Sequence, residues 1–230
     1  MIFGCSSKGL APLEDKNFSS FKSIQVLRRG VIENPGKYKV LKGDSLYAIA
    51  WRFGVDHQEL LEINDIVNKN LIFEGQILRL RGGQKLLSKT PTNSQSKTKQ
   101  SPEVSPILAK ENWKWPVDGE FKEINDGNRL IGLEIYGTEG EEVRSAASGT
   151  VVYSGNGLRG YGELVIVKHS EALLSAYAHN KKRVVEEGDI VEVSEVIGLM
   201  GSTGVSRNML YFEIRKNGKS VNPFIYLPEI

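Results

Sequence analysis

The stretch Leu210-Tyr211-Phe212-Glu213-Ile214-Arg215, followed one residue later by Asn217-Gly218, decides how the C-terminal half of this chain folds. Leu210, Phe212 and Ile214 recur at every second position, the period of a strand that buries one face. Asn-Gly is a hairpin signal, because a tight two-residue turn needs positive φ at its centre. Working back along the chain, Glu163-Leu164-Val165-Ile166-Val167-Lys168 and Leu174-Ser175-Ala176-Tyr177-Ala178-His179 read as two further strands, paired with each other. No amphipathic helix interrupts residues 113–228, so this half is expected to be a small antiparallel β domain.

Upstream, residues 82–112 are dominated by Ser, Thr, Lys, Gln, Asn and Pro. Such a composition does not bury a core and reads as a linker, with a mean span of roughly 30 Å and up to about 100 Å when stretched. Residues 37–81 form a compact unit. Tyr38-Lys39-Val40 is a strand, Asp44 or Ser45 caps a helix carrying Leu46, Ile49, Ala50 and Phe53 on one stripe, and Gly54 stops it. Asp56, with Glu59 three residues on, starts a second helix that Asn64 ends, and Gln76 to Leu80 return as a strand. Residues 1–36 are polar, with one short ordered piece expected around Ile24 to Val31 and a turn at Asn34-Pro35-Gly36. The expected architecture is therefore mainly β, with a small α+β module ahead of a flexible linker and an antiparallel β domain at 113–230.

The βααβ unit resembles a LysM domain. The matching residues are Tyr38-x-Val40-x-x-Gly43-Asp44-Ser45-Leu46, Ile49-Ala50, Phe53-Gly54-Val55, Leu60, Asn64 and Leu71-Ile72-Phe73-x-Gly75-Gln76-x-Leu78. That resemblance implies peptidoglycan as a partner, with N-acetylglucosamine chains lying along Gly43, Asp44, Ser45 and Leu46 and along Leu71, Ile72, Phe73, Glu74, Gly75 and Gln76. Gly43, Asp44 and Gly75 also read as turn and cap residues, and the two roles are compatible.

The C-terminal domain is similar to the lysostaphin-type (LytM) zinc peptidases. The likeness runs through Trp115-Pro116-Val117-x-Gly119, Gly132-x-Glu134-Ile135, Ala146-Ala147-x-Gly149-x-Val151, Gly160-Tyr161-Gly162, Tyr177-Ala178-His179, Gly201-x-Thr203-Gly204 and Leu210-x-Phe212-Glu213-Ile214-Arg215. Active members hold zinc with a His, an Asp four residues later and the second His of a His-x-His strand, leaving one position for the attacking water. Here the first position is Leu130, the Asp position is Glu134, and the His-x-His pair is Met209 and Tyr211. Only the assisting position, His179, keeps its imidazole. Of the three histidines, His57 lies in the LysM-like unit, leaving His169 and His179 for this domain. No metal, cofactor or catalytic residue is therefore expected, and the domain reads as a degenerate peptidase homologue.

Composition is neutral on nucleic acid. The 30 Lys and Arg against 28 Asp and Glu leave a net charge of +2, so no strong field steers the chain to a polyanion. No apolar run reaches the ~18 residues of a membrane span. The single cysteine, Cys5, excludes an internal disulfide and a thiolate cluster. Its setting, Ile2-Phe3-Gly4-Cys5-Ser6, resembles the end of a bacterial lipoprotein signal, which implies lipidation at Cys5, an upstream signal missing from this sequence and a place on the periplasmic face of the outer membrane. LysM, linker and degenerate LytM domain behind such a cysteine resemble the NlpD-type murein hydrolase activators. That resemblance implies a groove of Leu130, Glu134, His179, Met209 and Tyr211 that binds an N-acetylmuramoyl-L-alanine amidase and performs no chemistry. A passive wall anchor is the alternative reading.

Overall fold

Caps written into the sequence set the helices of the first domain. A computed structural model describes residues 34–67, 72–81, 113–127 and 129–229; Cys5, the piece at 24–31, Leu71 and the expected linker at 82–112 lie outside them. Ser45, in an extended conformation, accepts the Ala48 amide at 3.2 Å and starts α1 (Leu46–Phe53), so Ser45 rather than Asp44 is its cap. Gly54 ends that helix at φ 60°, a left-handed conformation that costs glycine little, and returns its amide to the last turn. Asp56 caps α2 (His57–Ile63) by accepting the amides of Gln58 at 2.9 Å and Glu59 at 3.0 Å.

Strand β1 (Lys37–Lys39) pairs antiparallel with β2 (Ile77–Arg79), placing Tyr38 opposite Leu78. Asn64, just past α2, clamps β2 by donating to the Arg79 carbonyl at 2.8 Å and accepting the Arg79 amide at 2.7 Å. Asn34 reaches the Leu80 carbonyl at 3.1 Å, which ties the preceding turn to this domain. Val40, Leu46, Ile49, Phe53, Leu60 and Leu78 close the small core.

The second domain is one antiparallel sheet. Its strands are β3 (Phe121–Asp126), β4 (Arg129–Tyr136), β5 (Glu142–Arg144), β6 (Gly149–Gly155), β7 (Glu163–Lys168), β8 (Leu173–Arg183), β9 (Ile190–Val191), β10 (Val196–Met200), β11 (Met209–Lys216) and β12 (Lys219–Val221). They lie in the order β3-β4-β11-β8-β7-β6-β9, with β12 on β11 and β5 reaching β8 through β10. The three stretches that read as strands from sequence are thus β11, β8 and β7, side by side at the centre of the sheet.

Alternation sends successive side chains to opposite faces. Val165, Val167, Tyr177, Leu210, Phe212 and Ile214 enter the inner core. Leu164, Ile166, Ala176, Ala178 and Tyr211 stand on the outer face, where Ala48 and Trp51 of α1 meet them. Both faces of the sheet centre are therefore buried, the inner one by the domain's own loops and the outer one by the LysM-like domain.

Candidate functional site

The central strands bring four of the five expected groove residues together. Tyr211 of β11 lies directly opposite Glu134 of β4, and Met209 opposite Tyr136. Tyr136 donates its hydroxyl to Glu134 at 3.0 Å. His179 closes the group from β8, its ring centre 6.4 Å from that of Tyr211. Leu130 is not with them. The pairing of β3 with β4 shifts register between Ile124 and Asn125, which lie opposite Gly132 and Leu130, and Leu130 packs partly buried against the inner core. Such a bulge re-aims the residues on one side of it, so Leu130 does not line the groove beside Tyr211.

His179 is held in an unusual way. Two residues of β8, Ala178 and His179, stand against one of β7, Leu164, and His179 takes φ 67°. A non-glycine residue at positive φ is strained and persists only where its surroundings hold it. The His179 amide donates to the Tyr161 carbonyl at 2.9 Å, and its Nδ1 lies 2.8 Å from the Thr203 carbonyl. A carbonyl only accepts, so Nδ1 carries the proton, which fixes the ring's tautomer. Thr203 is itself fixed by donating to the Asn180 carbonyl at 2.8 Å and accepting the Glu163 amide at 2.9 Å.

Below Tyr211 runs a polar ladder that sequence reading did not single out. The Tyr211 hydroxyl donates to Glu213 Oε2 at 3.1 Å, and Glu213 Oε1 accepts Arg215 Nε at 2.7 Å and the Ser220 hydroxyl at 2.6 Å. Glu213 is 2% exposed and Arg215 5%, a buried ion pair with hydrogen bonds on both carboxylate oxygens. Arg215 continues across the domain boundary, donating to the Trp51 carbonyl and lying 3.8 Å from the centre of the Trp51 ring. Burial, reinforced by the Glu213 charge, raises the Tyr211 phenol well above its ordinary pKa of 10, so it stays protonated and donates. The signal available in sequence was the same period of two: Tyr211, Glu213 and Arg215 share the face opposite Leu210, Phe212 and Ile214.

This set of donors does not fit the zinc of the lysostaphin-type enzymes. That metal needs three nitrogen, oxygen or thiolate ligands with a fourth position open. At the positions of the two strand histidines stand a buried thioether, Met209, and a protonated phenol already bonded to Glu213. Among the described residues no three His, Cys, Asp or Glu side chains lie close enough together to hold a metal ion.

On the first domain, the expected glycan loops divide by role. Asp44 accepts the Tyr38 hydroxyl at 2.7 Å and the Leu41 amide at 2.8 Å, and Ser45 caps α1, so both shape the loop. Leu46 is buried in the core, and Ile72 packs partly buried against it. Gln76 accepts the Phe73 amide at 3.0 Å through its side chain. Phe73, 66% exposed, together with Gly43, Glu74 and Gly75, presents the open surface.

Sheet, caps and site define a class: a LysM domain joined to a peptidase-like domain whose metal position is filled by other side chains. Residues 38–81 match the LysM domain and residues 129–223 match Peptidase family M23. Lipoprotein NlpD/LppB homolog of Pseudomonas aeruginosa is 35% identical over 99% of this chain and 88% of its own length. Murein hydrolase activator NlpD of Escherichia coli is 33% identical over 84% of this chain and 68% of its own length. Uncharacterized lipoprotein YgeR of Escherichia coli is 36% identical over 83% of this chain and 80% of its own length. The chain belongs to the NlpD family.

Proposed function

We propose that this chain is a non-enzymatic, peptidoglycan-binding activator of a cell-wall hydrolase, and that the hydrolase is an N-acetylmuramoyl-L-alanine amidase. The observation that carries the reading is the state of the metal position. Tyr211, Glu134, His179 and Met209 lie together there, yet their polar atoms are engaged with Glu213, Tyr136 and Thr203 and offer no three-ligand set. Side chains engaged in this way support a role in binding rather than in hydrolysis. The name carried by the relative from Escherichia coli supports an activator. A groove that binds the unblocked form of an amidase better than the blocked form shifts that equilibrium, and about 1–3 kcal/mol of coupling raises the active fraction roughly 5- to 150-fold.

The LysM domain would hold the chain on glycan strands through Phe73, Gly75 and the loop at Gly43. Lipidation at Cys5 would hold it to the periplasmic face of the outer membrane, in keeping with the lipoprotein name of the Pseudomonas aeruginosa relative. The test is dye release from labelled sacculi. The chain alone should release none, and amidase with the chain should release it faster than amidase alone. Co-sedimentation without acceleration would make the chain a passive anchor. Tyr211→Asp should abolish acceleration and keep sacculus binding, and a folded Tyr211→Asp variant that still accelerates would remove the groove from the account.

A further inference from the structure

Helix α1 is apolar on two sides. Leu46, Ile49, Ala50 and Phe53 face the core of their own domain, whereas Ala48 and Trp51 point away from it into the outer face of the M23 sheet. A helix apolar all round is one buried all round, and Trp51, only 4% exposed, is covered by the second domain. Its ring lies against Arg215 and 6.5 Å from the ring of Tyr161, which in turn lies 6.1 Å from that of Tyr211. Helix α1 is thus seated at one end of the groove, and Tyr211 belongs to both surfaces.

The seat is narrow. At its rim Arg52 donates to the Gly157 carbonyl at 3.2 Å and Gln58 to Glu171 at 2.6 Å. Gly218, in the turn between β11 and β12, approaches so closely that a Cβ there would lie 2.5 Å from the backbone of Val55. Helix α1, the loop after it and Gln58 of α2 make this contact, and domains within one chain move relative to each other unless their interface is large and apolar. Phe73 and Gly75 stay exposed in the docked arrangement, so the glycan edge is open while the sheet face is covered.

We propose that the LysM domain is the resting occupant of the outer sheet face, withholding the Tyr211 end of the groove from a protein partner until α1 lifts away. This rests on the groove being the partner-binding surface. Closing would be relieved by whatever pulls the LysM domain off the sheet, and the partner's apparent affinity is reduced in proportion to the closed fraction.

Gly218→Asn in the full chain tests it. Asn is among the non-glycine residues best able to adopt the φ of 72° found there, so the turn survives while its Cβ collides with Val55. The indole N–H signals of Trp51, Trp113 and Trp115 give an internal control in a nitrogen–proton NMR spectrum. In the wild-type chain the Trp51 signal should exchange slowly with solvent; in Gly218→Asn it should shift and exchange rapidly, with Trp113 and Trp115 unmoved because the second domain stays folded. The amount of chain giving half-maximal amidase-driven dye release should fall about tenfold if the open form is about a tenth of the wild-type population. Trp51→Ser, which unseats the helix from the other side, should give the same gain. Rapid Trp51 exchange in the wild type, or opened variants that activate no better than an active wild type, would overturn the proposal. If wild type and opened variants all fail to activate while the Trp51 signal reports opening, the activator reading falls instead and takes this role for closure with it.

Discussion

Arg215→Leu is the substitution whose cost the structure fixes most directly. The guanidinium is 5% exposed, bonded to Glu213 at 2.7 Å and stacked 3.8 Å from the Trp51 ring centre. Its removal leaves a carboxylate, 2% exposed, with only the Ser220 hydroxyl at 2.6 Å and the Tyr211 hydroxyl at 3.1 Å as donors. Breaking a buried pair costs about 3–5 kcal/mol, and two surviving donors place this case near the low end, about 3 kcal/mol. For a domain of this size that is a fall in Tm of roughly 10 °C. Urea unfolding followed by far-ultraviolet circular dichroism measures it. Arg215→Leu combined with Glu213→Leu should recover at least half of the loss, because no uncompensated charge remains. A single-variant cost below about 1 kcal/mol, or a double variant worse than the two singles combined, would refute the assignment of a desolvated pair.

Two other outcomes follow from residues away from the ladder. Burial lowers the His169 ring from its ordinary pKa of 6.5 to about 4, against the carbonyl of Ser148, which favours its charged form. The fold thus prefers the neutral ring, so its contribution is fully present above pH 6.5 and is lost as pH falls from 6.5 to about 4, by about 3 kcal/mol in all. His169→Gln should flatten that part of the stability profile in urea titrations at several pH values, and an unchanged slope would show that His169 is not its source. Phe73→Ala should leave stability within about 0.5 kcal/mol, because the ring is exposed, while weakening co-sedimentation with sacculi; unchanged sedimentation would move the glycan contact elsewhere.

Much of this molecule was legible from local chemistry. Gly54, Asp56 and Asn64 act as the stops and caps their side chains suggest, and the alternation at Leu210, Phe212 and Ile214 locates the central strand with its buried face. Periodicity reports which side chains share a face, but not what that face meets. Helix α1 showed one apolar stripe towards its own core, and the second stripe at Ala48 and Trp51 has meaning only once another domain covers it. The charged pair at Glu213 and Arg215 likewise fits a solvated face, and only the tertiary arrangement seals it from water. Leu130 went astray because a shift of one residue in β-pairing reverses inside and outside, and nothing in its neighbours marks the bulge.

The shared seat of Trp51 bears on how this protein is dissected at the bench. A fragment cut between the domains would carry a tryptophan into solvent on one piece and leave Leu164, Ile166 and Ala178 bare on the other. Truncated halves of this kind self-associate readily. Binding recorded from a severed M23 half would thus describe a surface that the intact chain keeps covered.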